Sequence, residues 1–232
     1  MHYFFAEYEK YGFLYINDKD VINHYKVLRV KKDENILVNF NNNHFICVEE
    51  NISKKELIFK VIEKEENKNP VLSLTLYQGL PKKKKFEYIL EKSVECGFTK
   101  IIPVKTRFVQ QNYENSKQER FNSIVLNAAM QSKSPILPKL YDYIDLKDIS
   151  ADSDINIVLY ENSKEYLKNY FQNIKKPCSI SVVIGPEGGF NYEEIEILQK
   201  KGFKSLRLSG NILRTETACI AIGSIINYEF IF

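Results

Sequence analysis

The chain has 232 residues, 44% of them hydrophobic and 27% charged, with a net charge of +3. That is room for one large domain or two modest ones, in a composition ordinary for a folded, water-facing protein. So small a net charge does not by itself announce a nucleic-acid partner. No apolar stretch approaches the ~20 residues that cross a bilayer, so no membrane partner is expected. The first twelve residues lack a basic stretch followed by a long apolar run and do not read as a signal peptide. Cys47, Cys96, Cys178 and Cys219 are scattered, without a C-x-x-C pair, so no disulfide framework and no metal site is expected. Free thiols in a reducing cytoplasm fit that usage.

The first stretch reads as β-rich. Short aromatic strands are predicted at Tyr3–Phe5 and Phe13–Ile16. Strands at Asn35–Phe40 and His44–Glu49 flank an Asn41-Asn42-Asn43 turn, and another follows at Glu56–Ile62. Between them Asp20–Val30 has helical spacing, with Asp20 as its cap. Several strands and one helix suggest a small barrel over residues 1–68. The polar run from Glu63 to Pro70 is the expected linker.

From residue 69 the pattern alternates. Strands are predicted at Val71–Tyr77, Lys100–Val104, Ile155–Tyr160, Ser179–Ile184 and Ser205–Leu208. Helices are predicted at Lys84–Cys96, Gln118–Ser132, Lys164–Asn173, Tyr192–Lys201 and Thr215–Tyr228. Alternating β and α elements imply a mostly parallel sheet that binds ligands at the carboxyl ends of its strands. The whole is therefore an α+β, two-domain chain.

Charge is unevenly spread. Lys82 to Arg107 holds 8 basic residues against 3 acidic ones, a local surplus that can bind phosphate. Lys82, Lys83, Lys84 and Lys85 crowd a helix N-terminus, where cations oppose the macrodipole, so a compensating anion or a solvated face is expected.

Two glycine-bearing segments carry the chemistry. In the first, Gly185, Gly188 and Gly189 bracket Pro186 and Glu187 after an apolar strand. Glycine lets backbone approach a ligand and reach positive φ. In the second, Leu208 to Ala218, Arg214 and Glu216 stand where an apolar run meets an apolar helix. Charges there are expensive unless they are paired or working, so an Arg214–Glu216 ion pair and a catalytic role are both open. Neither a G-x-G-x-x-G fingerprint nor a phosphate-loop motif occurs, which disfavours dinucleotide and nucleoside-triphosphate sites.

The run IGPEGGF followed by ILRTETA resembles the RsmE family of SPOUT-class methyltransferases. Other elements agree: His24, Val27, Leu28 and Arg29; Lys82, Lys92, Glu95 and Gly97; Arg107; and Ala128, Ala129, Gln131 and Ser132. The likeness spans nearly the whole chain in order. This chain departs from the family at His2, Asn127, Ser134, Ser209 and Asn211.

The resemblance implies a PUA-like or OB-like N-terminal β-barrel and a C-terminal α/β domain with a mostly parallel sheet and a trefoil knot. It implies a cytoplasmic homodimer that uses S-adenosylmethionine (AdoMet) to methylate N3 of a uridine in 16S rRNA, free or in the 30S subunit. By that likeness the cofactor falls to Glu161, Gly185, Glu187, Gly188, Gly189, Leu208, Ile212 and Leu213. RNA contacts fall to His24, Arg29, Lys82, Lys83, Lys84, Lys85 and Arg107. Methylating N3 removes the imide proton and spreads negative charge onto O2 and O4, which a nearby cation stabilises. Arg214 is the expected cation, with Glu216 orienting it or taking the proton. A 2′-O-ribose methyltransferase of the same fold class and a non-catalytic RNA-binding assembly factor remain the alternatives.

Overall fold

The structure is a computed structural model that describes residues 1–65, 72–108, 118–172 and 174–230. It divides into two compact units, Met1–Pro70 with Lys133–Leu137, and Val71–Ser132 with Pro138–Phe232. Residues 66–70 of the expected linker, together with Val71 and Asn173, lie outside the described residues.

The first unit is a six-stranded mixed sheet in the order β1-β4-β5-β6-β3-β2. Its strands are β1 (Tyr3–Phe5), β2 (Tyr8–Lys10), β3 (Phe13–Ile16), β4 (Ile36–Phe40), β5 (Asn43–Ile52) and β6 (Leu57–Glu65). Only β1 and β4 run parallel among these ladders. β6 carries on through Glu63–Glu65, so the polar run begins inside a strand. β2 escapes a hydrophobic reading because Tyr8, Glu9 and Lys10 are all exposed. The β4–β5 hairpin turns on Asn41 and Asn42, both at positive φ (49° and 60°), a conformation that asparagine tolerates and tight hairpins demand.

Helix α1 (Lys19–Leu28) is capped by Asp18 rather than Asp20. The Asp18 carboxylate accepts from the N–H groups of Asp20 and Val21, at 2.9 and 3.0 Å. The helix ends where Arg29 turns left-handed, at φ 52°. Its inner face meets the sheet through Tyr25, whose ring lies 5.4 Å from Phe4 and 5.7 Å from Phe59. Burying three such rings supplies several kcal/mol at about 1.5–3 kcal/mol per large side chain. The segment Lys133–Leu137 joins this unit through the backbone. Tyr3 Oη donates to the Ser134 carbonyl at 2.7 Å and Asn39 Nδ2 to that of Pro135 at 2.8 Å.

The second unit holds a seven-stranded sheet whose ladders are all parallel. The order is β10-β8-β7-β12-β11-β13, with β9 also on β8. The strands are β7 (Ser73–Gly79), β8 (Lys100–Lys105), β9 (Lys139–Leu140), β10 (Ile144–Asp145), β11 (Ile155–Leu159), β12 (Ser179–Ile184) and β13 (Lys204–Leu206). The helices are α2 (Lys83–Glu95), α3 (Gln118–Ser132), α4 (Leu167–Phe171), α5 (Tyr192–Lys200) and α6 (Thr215–Phe230). Central β12 is buried from Ile180 to Ile184, as parallel strands covered on both faces are.

One face of this sheet packs on α5 through Tyr77, Val158, Val183, Phe190, Ile195 and Leu198. α6 lies against α2, where Asn227 Nδ2 donates to the Cys96 carbonyl at 2.7 Å. α5 opens with a capping box in which Asn191 accepts from the Glu194 N–H and Glu194 from the Asn191 N–H. The carboxyl ends of β12, β11 and β13 therefore deliver Gly185, Tyr160 and Arg207 to one edge of the sheet.

Candidate functional site

A cleft of about 340 Å³ opens at that edge, in the size range of small-molecule pockets, roughly 300–1,000 Å³. Its wall gathers Glu161 from the end of β11, Gly185, Glu187 and Gly189 from the loop after β12, and Leu208, Ile212, Leu213 and Arg214 from the loop after β13. Seven of the eight sequence-selected cofactor residues and Arg214 thus share one wall. Gly188 and Glu216 are not on it.

The two loops are fastened by buried polar groups that the sequence did not single out. Thr215 Oγ1 donates to the Gly185 carbonyl at 2.6 Å and accepts from Gln78 Nε2 at 2.9 Å. Gln78 is fully buried at the end of β7 and also donates to the Gly79 carbonyl at 2.9 Å. Next to it, a Cβ on Gly79 would come within 2.6 Å of Pro186 Cδ, so only glycine lets β7 end this close to the loop. Gln78 follows the strand-type run Ser-Leu-Thr-Leu-Tyr of residues 73–77, which already holds Ser73 and Thr75, so no local signal marked it.

Within the loop the glycines divide their work. Only Gly189 has positive φ, 68°, and a Cβ there would face Glu161 Oε1 at 3.5 Å. Gly188 is not on the cleft wall, and a Cβ there would meet Phe108 Cβ at 2.9 Å. The positive φ expected of the loop therefore belongs to Gly189. The second loop braces itself: Arg207 donates to the carbonyls of Ser209 (3.0 Å) and Gly210 (2.8 Å), and Ser209 Oγ to that of Asn211 (2.7 Å).

The charges are arranged differently from the pairing left open in the sequence. Glu216 faces Lys85, whose Nζ lies 3.8 Å from Glu216 Oε2 and 3.5 Å from Glu187 Oε1. Glu216 Oε2 is buried and makes no hydrogen bond among the described residues. Arg214 is exposed, and among the described residues its guanidinium has neither a hydrogen bond nor an ion pair. Burial alone would raise the Glu187 carboxyl, but the N–H groups of Glu187 and Lys82 and the Lys85 ammonium outweigh it and hold it below the ordinary carboxylate value. The Lys82 N–H reaches Glu187 Oε1 at 3.2 Å, satisfying a free donor at the start of α2. The anion that compensates this cationic helix start is thus in part the chain's own.

The remaining basic residues lie elsewhere. Lys82 and Lys84 are exposed and Lys83 half-buried. Arg107 gives its N–H to Glu194 at 2.7 Å, and its side chain reaches Glu193 at 3.6 Å. His24 and Arg29 are exposed in the first unit, on α1 and at its end. Among the described residues no group of His, Cys, Asp and Glu is placed to hold a metal, and no helix is long and apolar enough to cross a membrane.

Comparison with known proteins agrees with this architecture. The RNA methyltransferase domain family matches residues 67–227. Over 229 residues the chain is 34% identical to ribosomal RNA small subunit methyltransferase E of Aquifex aeolicus, covering 97% of this chain and 99% of that one. It is 32% identical to the protein of the same name from Mesomycoplasma hyopneumoniae, covering 95% and 96%. A Legionella pneumophila structure described as a methyltransferase in complex with the bound cofactor SAM superposes with a TM-score of 0.84 at 26% identity, over 98% of this chain and 96% of that one. The chain therefore belongs to the RNA methyltransferase family that includes ribosomal RNA small subunit methyltransferase E.

Proposed function

We propose that the chain transfers a methyl group from AdoMet to N3 of a uridine in 16S rRNA. The observation that carries this reading is the convergence of both glycine-bearing loops on one cleft whose wall holds the Arg214 guanidinium, unpaired among the described residues. The donor set suits the cofactor. Leu208, Ile212 and Leu213 offer apolar surface and backbone groups to a flat heterocycle, and Glu161 and Glu187 offer acceptors to hydroxyl and ammonium groups. When bound, the cofactor supplies an electrophilic methyl group on a sulfonium.

The chain's own part is electrostatic. Arg214 presents up to five N–H donors that no acceptor among the described residues occupies. Aimed at O2 or O4, they stabilise charge that appears only as N3 loses its proton, so their effect falls on the transition state rather than on ground-state binding. Lys82, Lys83, Lys84 and Arg107 in the second unit, and His24 and Arg29 in the first, are proposed RNA contacts. The RNA-binding role of the barrel over residues 1–68, the trefoil knot in residues 69–232, the homodimer and the cytoplasmic location rest on the family resemblance.

The reading is tested by incubating the purified chain with methyl-labelled AdoMet and, separately, unmethylated 16S rRNA and 30S subunits. Label in either RNA supports it. No label in either removes catalysis and leaves an RNA-binding assembly factor.

A further inference from the structure

Lys85 stands apart from the other three lysines of its run, because it alone lines the cleft. It sits in the first turn of α2, and two carboxylates from other parts of the second unit flank its ammonium: Glu187 of the loop after β12 at 3.5 Å and Glu216 of the first turn of α6 at 3.8 Å. Glu216 Oε2, buried and without a hydrogen bond among the described residues, has this ammonium as its compensating charge. A flexible four-carbon side chain is ordinarily a poor device for placing charge, since its position costs rotamer entropy. Carboxylates from two separate elements restrict that freedom.

We propose that Lys85 is a catalytic residue of the methyl transfer, a second cation at the reacting base, with Glu187 and Glu216 as its positioning residues. The proposal rests on the uridine-N3 reading above. An ammonium has three N–H donors, and the two carboxylates flank it as ion-pair partners at 3.5 and 3.8 Å, so even one donor turned to each leaves one for the cleft. The imide anion has two charged oxygens, O2 and O4, one on either side of N3. A cleft with two cationic side chains on its wall, Lys85 and Arg214, can serve one at each. In the step itself the N3–H bond breaks and its proton leaves to solvent; the electron pair, shared with O2 and O4 in the anion, then forms the N3–CH3 bond as the bond from sulfur to that methyl breaks and its pair stays on the sulfur. Lys85 keeps its own protons and donates a hydrogen bond that strengthens as the charge grows.

This placement differs from phosphate binding by the solvated lysines beside it. A phosphate contact acts on RNA affinity and its salt dependence. A donor to the developing anion acts on turnover and leaves affinity nearly alone.

Lys85→Met and Lys85→Arg are compared with the wild type in single-turnover methylation of 16S rRNA and 30S subunits, AdoMet calorimetry, RNA binding against salt, and thermal melting. Lys85→Met is expected to lose about a hundredfold to a thousandfold in rate while binding both ligands within about threefold of wild type. Lys85→Arg, which keeps the charge, recovers part of the loss, and Glu216→Gln, which only loosens the ammonium, loses about tenfold. A Lys85→Met protein that methylates at the wild-type rate once saturated with RNA, with a shallower salt slope, overturns the proposal and returns Lys85 to the phosphate-binding set. So does one that loses AdoMet binding and melting temperature together and is not rescued by Arg. Absence of methylation by the wild type overturns the uridine-N3 reading and this proposal together. Activity in wild type and Lys85→Met alike overturns this proposal only.

Discussion

Thr215 Oγ1 donates to the carbonyl of Gly185 at 2.6 Å, and this bond fastens the loop after β12 to the start of α6. It is buried, and the same hydroxyl accepts from Gln78 Nε2. Thr215→Val keeps the shape but leaves the Gly185 carbonyl with only the long 3.4 Å bond from Gln78 Nε2 in place of two partners, a loss of about 1–3 kcal/mol. The variant is expected to melt several degrees lower and bind AdoMet more weakly, while Thr215→Ser, which retains the hydroxyl, stays near wild type. Equal melting temperatures for Val and wild type would show that the network does not hold the loops.

Gly189 and Gly188 separate conformation from contact. Alanine at Gly189, with φ 68°, costs about 1–2 kcal/mol of backbone strain and should weaken AdoMet roughly tenfold or more. Alanine at Gly188 presses on Phe108 Cβ, outside the cleft wall, and should change AdoMet affinity by less than about threefold. Calorimetry on both variants decides. A larger effect at Gly188 would mean that the cleft extends beyond Gly189.

These two glycines also show how far the sequence could be read. The alternation of strands and helices followed from hydrophobic period, and every strand predicted in the second unit was found, with ends shifted by a few residues. The helix expected over Lys164–Asn173 shortened to Leu167–Phe171 because Glu165 and Arg207 bond through their backbones (Arg207 N–H to Glu165 carbonyl, 2.7 Å). β2, β9 and β10 were not foreseen. They are two or three residues long, and tertiary pairing rather than periodicity makes them strands. The cleft-lining loops were legible through their glycines. The partnership of Lys85 with Glu187 and Glu216 was not, since no local spacing encodes contact between segments so distant in the chain.

Replacing Lys82, Lys83 and Lys84 with Ala should weaken rRNA binding and flatten its dependence on salt by about 0.7–0.9 log units for each phosphate no longer neutralised. AdoMet affinity should not move, because none of the three lines the cleft. Binding measured from low to physiological salt checks this. An unchanged slope would make the run a solvated helix start.

The first unit carries a pH dependence of its own. Tyr3 Oη spends its proton on the Ser134 carbonyl, so His44 Nε2, 3.1 Å away, is the donor of that pair. Burial, against an opposing pull from Glu65, lowers the His44 pKa below its ordinary value of 6.5. The unfolded chain therefore takes up the proton first. The contribution of this group is fully present above about pH 6.5 and is lost as pH falls through that value toward the folded one. Melting followed from pH 8 to pH 5 should show this decline, and His44→Gln should flatten it. A His44→Gln profile identical to wild type would place the acid sensitivity elsewhere.

The central claim is that the cleft methylates a uracil base and that Arg214 stabilises the anion formed on it. Nucleoside mass spectrometry of 16S rRNA treated with wild type, Arg214→Ala and Arg214→Lys proteins tests it most directly. The account predicts 3-methyluridine from wild type, about a hundredfold to a thousandfold less from Ala, and an intermediate yield from Lys, with AdoMet and rRNA binding retained in both variants. A 2′-O-methylated nucleoside in place of 3-methyluridine would contradict the account, as would an Arg214→Ala protein that methylates at the wild-type rate per folded molecule.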